Sequence, residues 1–119
     1  MGFISVEMDV ANLAQPERRV RVRFLADTGA MYTVVPEGIL RELGIKPAYE
    51  TVLRVADGRK IRRKVGNALF FFRRKPAASP VIFGRKNDPA LLGITTLEAL
   101  GLELDPVRRR LKPMPLLLY

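Results

Sequence analysis

The sequence predicts an all-β protein, and three observations carry that reading. Apolar and polar residues alternate with a period of two over positions 4–10 and again over 19–24, the spacing that puts one face of an extended strand inside. An Asp57-Gly58 dipeptide lies between two β-rich stretches, where its tolerance of positive φ suits a tight hairpin turn. Helical patterning is confined to two short stretches, one after Pro36 and one near Thr95.

The elements follow in order. Ile4, Val6, Met8 and Val10 alternate with Ser5, Glu7 and Asp9, so the first strand is half-buried. A loop, "ANLAQPE", leads into "RRVRVRFLA", where Val20, Val22 and Phe24 face inward and Arg19, Arg21 and Arg23 form the solvent face. Beyond Asp27-Thr28-Gly29-Ala30, "MYTVVP" is rich in β-branched residues and reads as another strand. "PEGILRELGI" then sets Ile39, Leu40 and Leu43 on one helical face, with Pro36 suited to the first turn and Gly44 to a left-handed stop. "ETVLRVADGRKIRRKVGNALFFF" reads as two strands around the Asp-Gly turn. "KPAASP" is expected to break the chain before a further strand, "VIFG", and "NDPA" to turn it again. Thr95 and Glu98 have the spacing of a capping box, which predicts a short helix from about Thr96 to Leu100, stopped by Gly101 and framed by two apolar strands. The tail "RRRLKPMPLLLY" is basic, then punctuated by proline, then apolar. Nothing in the chain reads as a repeat, linker or low-complexity segment, so residues 1–119 are expected to form one domain.

Composition narrows the chemistry. The 119 residues are 48% hydrophobic, enough for a true core. No apolar run approaches the roughly 18 to 20 residues that span a bilayer, and the first ten residues lack the marks of a signal peptide, which points to a soluble, cytoplasmic protein with no membrane partner. Cysteine and histidine are absent, which excludes disulfides, zinc-finger geometry, thiol nucleophiles and histidine-based triads. Acid–base chemistry near neutrality would fall to carboxylates, tyrosine or a perturbed lysine, and the reading calls for no metal and no cofactor.

Asp27 is the carboxylate that stands out. It follows the apolar run "VRFLA", where an unpaired buried charge would be costly, so an arranged partner is expected; the plain alternative is a turn-forming aspartate. "FLADTGA", then "TVV", then the hairpin around "ADG", then "LLGITTLEALGL", in that order, resemble the single-domain, retroviral-type aspartic proteases, the retropepsin-like family, over about residues 20 to 105. The resemblance implies a closed acid-protease barrel with a flap hairpin and one or two short helices. It also implies an aspartic endopeptidase that cuts an extended peptide or protein substrate. Such chemistry needs two carboxyls, one ionised to take a proton from water and one protonated to stabilise the carbonyl oxygen. With one Asp-Thr-Gly in the chain, the second must come from another copy, so a homodimer with Asp27 of each subunit at the two-fold axis is expected.

By the same resemblance, Asp27 is the catalytic carboxylate, and the Thr28 hydroxyl bonds across the dimer. Gly29 permits close backbone approach, Ala30 leaves the cleft open, and Gly93 packs beneath the catalytic loop. Ala56, Asp57 and Gly58 form the flap tip over the substrate; the retroviral tip is rich in glycine, whereas this one is short in glycine and carries a charge. The apolar ends, "FISVEMDV" and "PLLLY", are expected to interleave between subunits.

The net charge of +9 is concentrated in runs: Arg59, Lys60, Arg62, Arg63 and Lys64 along the hairpin, Arg73 to Lys75 beyond it, and Arg108 to Lys112 near the tail. A solvated charged face accounts for them, as would cations overhanging the cleft and steering acidic peptides. A nucleic-acid-binding barrel would use Phe70, Phe71 and Phe72 as stacking aromatics, but no nucleic-acid-binding signature accompanies them, and consecutive aromatics in a strand alternate faces. A barrel of the same family that has lost catalysis and serves as a dimerisation or peptide-binding module is the remaining alternative.

Overall fold

A computed structural model of the chain describes residues 4–118. Strand β1 (Ile4–Asn12) pairs antiparallel with β2 (Gln15–Ala26), with Met8 opposite Val22 and Val10 opposite Val20. Alternation does what the sequence predicts: Met8, Val10, Val22 and Phe24 are buried while Arg19, Arg21 and Arg23 are exposed. The expected loop over residues 11–17 is instead a tight turn at Leu13 and Ala14. Asn12 makes it, accepting the Ala14 N–H at 2.9 Å and donating to the Leu43 carbonyl at 3.1 Å, so a local side-chain bond replaces a longer excursion.

Strand β3 (Thr33–Pro36) runs directly into helix α1 (Glu37–Glu42). Pro36 does not open the helix; at ψ 131° it is the extended N-cap, and Glu37 takes the first turn. Leu40 and Leu43 are buried, and Gly44 ends the turn at φ +75° as expected. Strands β4 (Tyr49–Arg54) and β5 (Lys60–Phe72) form the hairpin around Asp57-Gly58, with Leu53 opposite Ile61. The 13-residue β5 has two roles: its first half pairs with β4, and its second half pairs with β6 (Lys75–Gly84) and, at residues 69–71, with β1.

"KPAASP" does not break the chain, because it is the first part of β6. Over residues 75–80 that strand has β5 on one side only; β3 joins its other edge at Val81. Pro76 and Pro80, an even number of residues apart, turn their missing donors toward the same unpaired edge, where no ladder bond is lost. The connection from β5 is a two-residue hairpin whose central residues, Arg73 and Arg74, both have positive φ, a conformation that glycine or asparagine would normally mark.

Strand β7 (Leu91–Leu92) is parallel to β2 and antiparallel to β3; α2 (Ile94–Ala99), β8 (Leu102–Asp105) and β9 (Arg110–Pro113) follow. The seven-stranded order is β1-β2-β7-β3-β6-β5-β4, and the added contact of β1 with β5 returns the sheet on itself as a barrel, leaving β4 outside the ring. Phe24 and Phe70 meet edge-to-face inside, with centroids 6.3 Å apart. Phe72, on the same face as Phe70, packs against this core, and Phe71 turns to the opposite face and lies under the Arg19 guanidinium at 3.6 Å.

Residues 114–118 form no strand, and Leu116, Leu117 and Leu118 are exposed; the rest of the expected terminal strands, Phe3 and Tyr119, lies outside the described residues. Among the described residues no helix is long and apolar enough to cross a membrane.

Candidate active site

Asp27 stands just past the end of β2, where the apolar strand stops and the chain folds into a compact turn. Three hydrogen bonds fix it, two backbone to backbone and one to its side chain. Its N–H donates to the Leu92 carbonyl at 3.1 Å, its carbonyl accepts the Ala30 N–H at 3.1 Å, and the Gly29 N–H donates to its carboxylate Oδ1 at 2.8 Å. Gly29 matters here for approach: a Cβ at that position would lie 3.1 Å from Oδ1 and crowd the acid.

Beneath the turn lies a buried chain of hydroxyls that sequence reading missed. The Gly93 N–H donates to Thr33 Oγ1 at 3.0 Å; Thr33 and Thr96 hydroxyls are 2.6 Å apart; Thr96 and Ser79 are 2.8 Å apart; and Ser79 donates to the Pro80 carbonyl at 3.2 Å. One donor order, from Gly93 through Thr33, Thr96 and Ser79 to Pro80, satisfies every member, and no buried side-chain polar atom among the described residues lacks a partner. The available signal was a pair of threonines in otherwise apolar stretches, "YTVV" and "ITTL".

Gly93 packs against the Met31-Tyr32 backbone. A Cβ there would sit 2.5 Å from the Tyr32 carbonyl carbon and 2.8 Å from the Met31 oxygen, so only glycine fits. The capping box of Thr95 and Glu98 is not formed: Gly93 is the N-cap, no side chain caps the helix, and α2 begins at Ile94. Its first donors go instead to the Asp27 loop, Ile94 N–H to the Ala30 carbonyl at 2.9 Å and Thr95 N–H to the Met31 carbonyl at 3.0 Å. Backbone acceptors thus took the place of the side-chain cap.

Above the loop stands the β4/β5 hairpin, and between them lies a cleft of about 690 Å³. Asp27, Gly29 and Ala30 line its floor, and Leu53, Val55, Ala56 and Ile61 line the hairpin side. Of the expected flap-tip residues, only Ala56 lines this cleft. At the turn, Gly58 takes φ +91°, and Asp57 accepts the Arg59 backbone N–H at 2.9 Å and the Arg59 Nε at 2.6 Å. Those two bonds hold the Asp57 carboxyl below the usual carboxylate range, and Arg59 offsets the charge the tip was expected to carry.

The hairpin cations do not overhang the cleft as a row. Strand alternation sends Lys60, Arg62 and Lys64 to the face opposite Ile61 and Arg63, and Arg63, the cation of β5 that does line the cleft, is engaged by Asp88.

Residues 12–96 match the family model described as "Aspartyl protease", a span that runs from the end of β1 into α2 and includes both the Asp27 loop and Leu91-Leu92-Gly93. The chain belongs to the aspartyl protease family. Among solved structures, the chain is similar to the protease of simian foamy virus (mac) in solution, with TM-score 0.53 and 17% identity over 78% of this chain and 92% of that one. It is also similar to the crystal structure of a retropepsin-like aspartic protease from Rickettsia conorii, with TM-score 0.55 and 22% identity over 87% of this chain and 77% of that one. At such identities the likeness concerns the fold, which is retropepsin-like. No curated protein matches the sequence.

Proposed function

We propose that this aspartyl protease is an endopeptidase that acts as a homodimer, with a water held between Asp27 of one subunit and Asp27 of the other. One observation carries the reading. Of the two carboxylates that line the cleft, Asp88 is held by Arg63, so Asp27 meets the substrate space without a second available acid from its own chain. A second copy related by a two-fold axis supplies that acid, because such an interface duplicates every group that lies near the axis.

Once the two carboxyls are apposed, like charge keeps both from ionising cheaply, so one holds a proton while the other takes one from water. The activated water attacks the peptide carbonyl, and the protonated partner stabilises the oxygen and then helps to protonate the leaving nitrogen. Gly29 keeps the space beside the carboxylate clear. Thr28, exposed next to Asp27, is placed by this reading at the dimer contact. The hairpin binds an extended peptide through backbone bonds, with Ala56 nearest to it.

The test is cleavage of an unbiased peptide library by the wild-type chain and by Asp27→Asn. The variant is expected to fold and associate like the parent and to cut nothing; turnover retained in Asp27→Asn refutes the mechanism. Specific activity is also expected to fall on dilution as dimer dissociates, and activity that is indifferent to concentration in a demonstrably monomeric sample refutes the shared dyad.

A further inference from the structure

The side wall of the cleft holds a charged contact that the chemistry at Asp27 does not use. Arg63 occupies the cleft-facing row of β5, opposite Thr51 of β4, and so belongs to the hairpin. Asp88 lies in the turn between β6 and β7, shortly before Leu92, whose carbonyl receives the Asp27 N–H. Two hydrogen bonds join them, Arg63 Nε to Asp88 Oδ2 at 2.7 Å and Nη2 to Oδ1 at 3.0 Å. The remaining guanidinium nitrogen, Nη1, donates to the Arg62 carbonyl at 2.9 Å, and the carboxylate accepts the Arg85 N–H at 2.8 Å as well. Every arm of the fork is engaged, which restricts the contact to one geometry.

Burial sets this pair apart. Its side chains are 13% and 21% exposed, while every other ion pair among the described residues has a partner at least 47% exposed. Solvated pairs of that kind contribute little, whereas a bidentate pair withdrawn from water resists being opened. Its place matters equally. The hairpin's other ion pairs, Arg59 with Asp57 and Arg62 with Glu50, stay within the hairpin; among the described residues only that of Arg63 ties it to the barrel wall.

We propose that Arg63 and Asp88 are positioning residues for peptide cleavage, their ion pair tethering the flap hairpin to the loop that enters the cleft floor and so setting how closely the flap closes on a bound peptide. The inference rests on the proteolytic reading above. Neither group is catalytic, since the charged atoms are spent on each other. An extended peptide that pairs with the hairpin gains those bonds only when the hairpin stands at the right height, so a lost tether weakens binding. The loop of Asp27 is held by separate contacts with Leu92, Gly29 and Ala30, so the chemical step is spared.

The experiment compares wild type, Asp88→Asn, Arg63→Met and the double variant on one peptide that the wild type cuts, together with amide hydrogen exchange of the unliganded proteins. Each single variant is expected to raise KM about ten-fold with kcat within about two-fold, and the double to be no worse than a single, since both remove one contact. Exchange at the Val55 and Gly58 amides is expected to quicken while the amides of β1 and β2 keep their protection. An unchanged KM, a loss confined to kcat, multiplicative effects in the double variant, or exchange that quickens throughout the barrel overturns the inference. A wild-type chain that cuts nothing overturns the proteolytic reading instead, and unchanged exchange at Val55 and Gly58 would then overturn the tether independently.

Discussion

Thr96→Val probes the support under the Asp27 loop. The exchange keeps the shape of a fully buried side chain and removes the hydroxyl at the centre of the chain, which meets Thr33 at 2.6 Å and Ser79 at 2.8 Å. Two such bonds are worth about 2 kcal/mol net, and the Thr33 proton left without an acceptor costs about 1 kcal/mol more. Ser79 keeps the Pro80 carbonyl and Thr33 keeps the Gly93 N–H, so no other member is stranded. The added buried methyl offsets about 0.8 kcal/mol. The balance is a loss of about 2 kcal/mol, or about 8 °C in Tm for a chain of this size. Thermal unfolding followed by circular dichroism reads it directly. Thr95→Val, one position earlier on the same helix and half-buried, is the control and should change stability by less than about 0.5 kcal/mol. A loss below about 2 °C for Thr96→Val, or an equal loss for Thr95→Val, would refute the assignment of this network as a support.

Gly93→Ala should be harsher, because its Cβ would meet backbone at 2.5 Å that cannot rotate away; a destabilisation of about 3 kcal/mol is expected, and a melting temperature unchanged from wild type would contradict it. Replacing Arg73 and Arg74 by Asn and Gly relieves two positive-φ residues and should stabilise the chain by about 1 kcal/mol, read as a higher urea midpoint. Arg19→Ala uncovers the ring of Phe71 and should cost about 1 kcal/mol by the same titration. In acid, the Asp88 carboxyl is held below its ordinary value of 3.8 chiefly by the hydrogen bond from Arg63. A depressed folded-state value means that the pair's stabilisation is complete above the ordinary value and is lost as pH falls through the folded one. Urea midpoints should therefore drop below about pH 4, and less steeply in Asp88→Asn than in wild type.

Much of this fold was written in local pattern. The period-two runs of β1 and β2, the Asp57-Gly58 turn and the glycine stops at 44 and 101 each rest on near neighbours, and each forms. Two failures share a cause. Pro76 and Pro80 look like breakers until the strand is seen to have an unpaired edge, and the pair of Thr95 and Glu98 looks like a cap until the carbonyls of Ala30 and Met31 take those donors. Both outcomes were decided by segments distant in the chain. The floor of the cleft was legible because Asp27, Gly29 and Ala30, which line it, lie within the one short stretch "DTGA". Its supports were not, since Thr33, Ser79 and Thr96 are ordinary residues brought together only by the barrel, as are Arg63 and Asp88.

That β5 passes unbroken from hairpin to barrel wall imposes a parity rule on any change in its length. Inserting one residue between Arg63 and Val65 would reverse which side chains of the hairpin look inward, presenting exposed cations to the cleft and turning Arg63 away from Asp88, while the second half of the strand stays locked in register with β6 and β1. Inserting two would restore the faces and merely lengthen the hairpin. The base of the hairpin can therefore be lengthened only in steps of two, and grafts from relatives must be matched in phase there before they are matched in sequence.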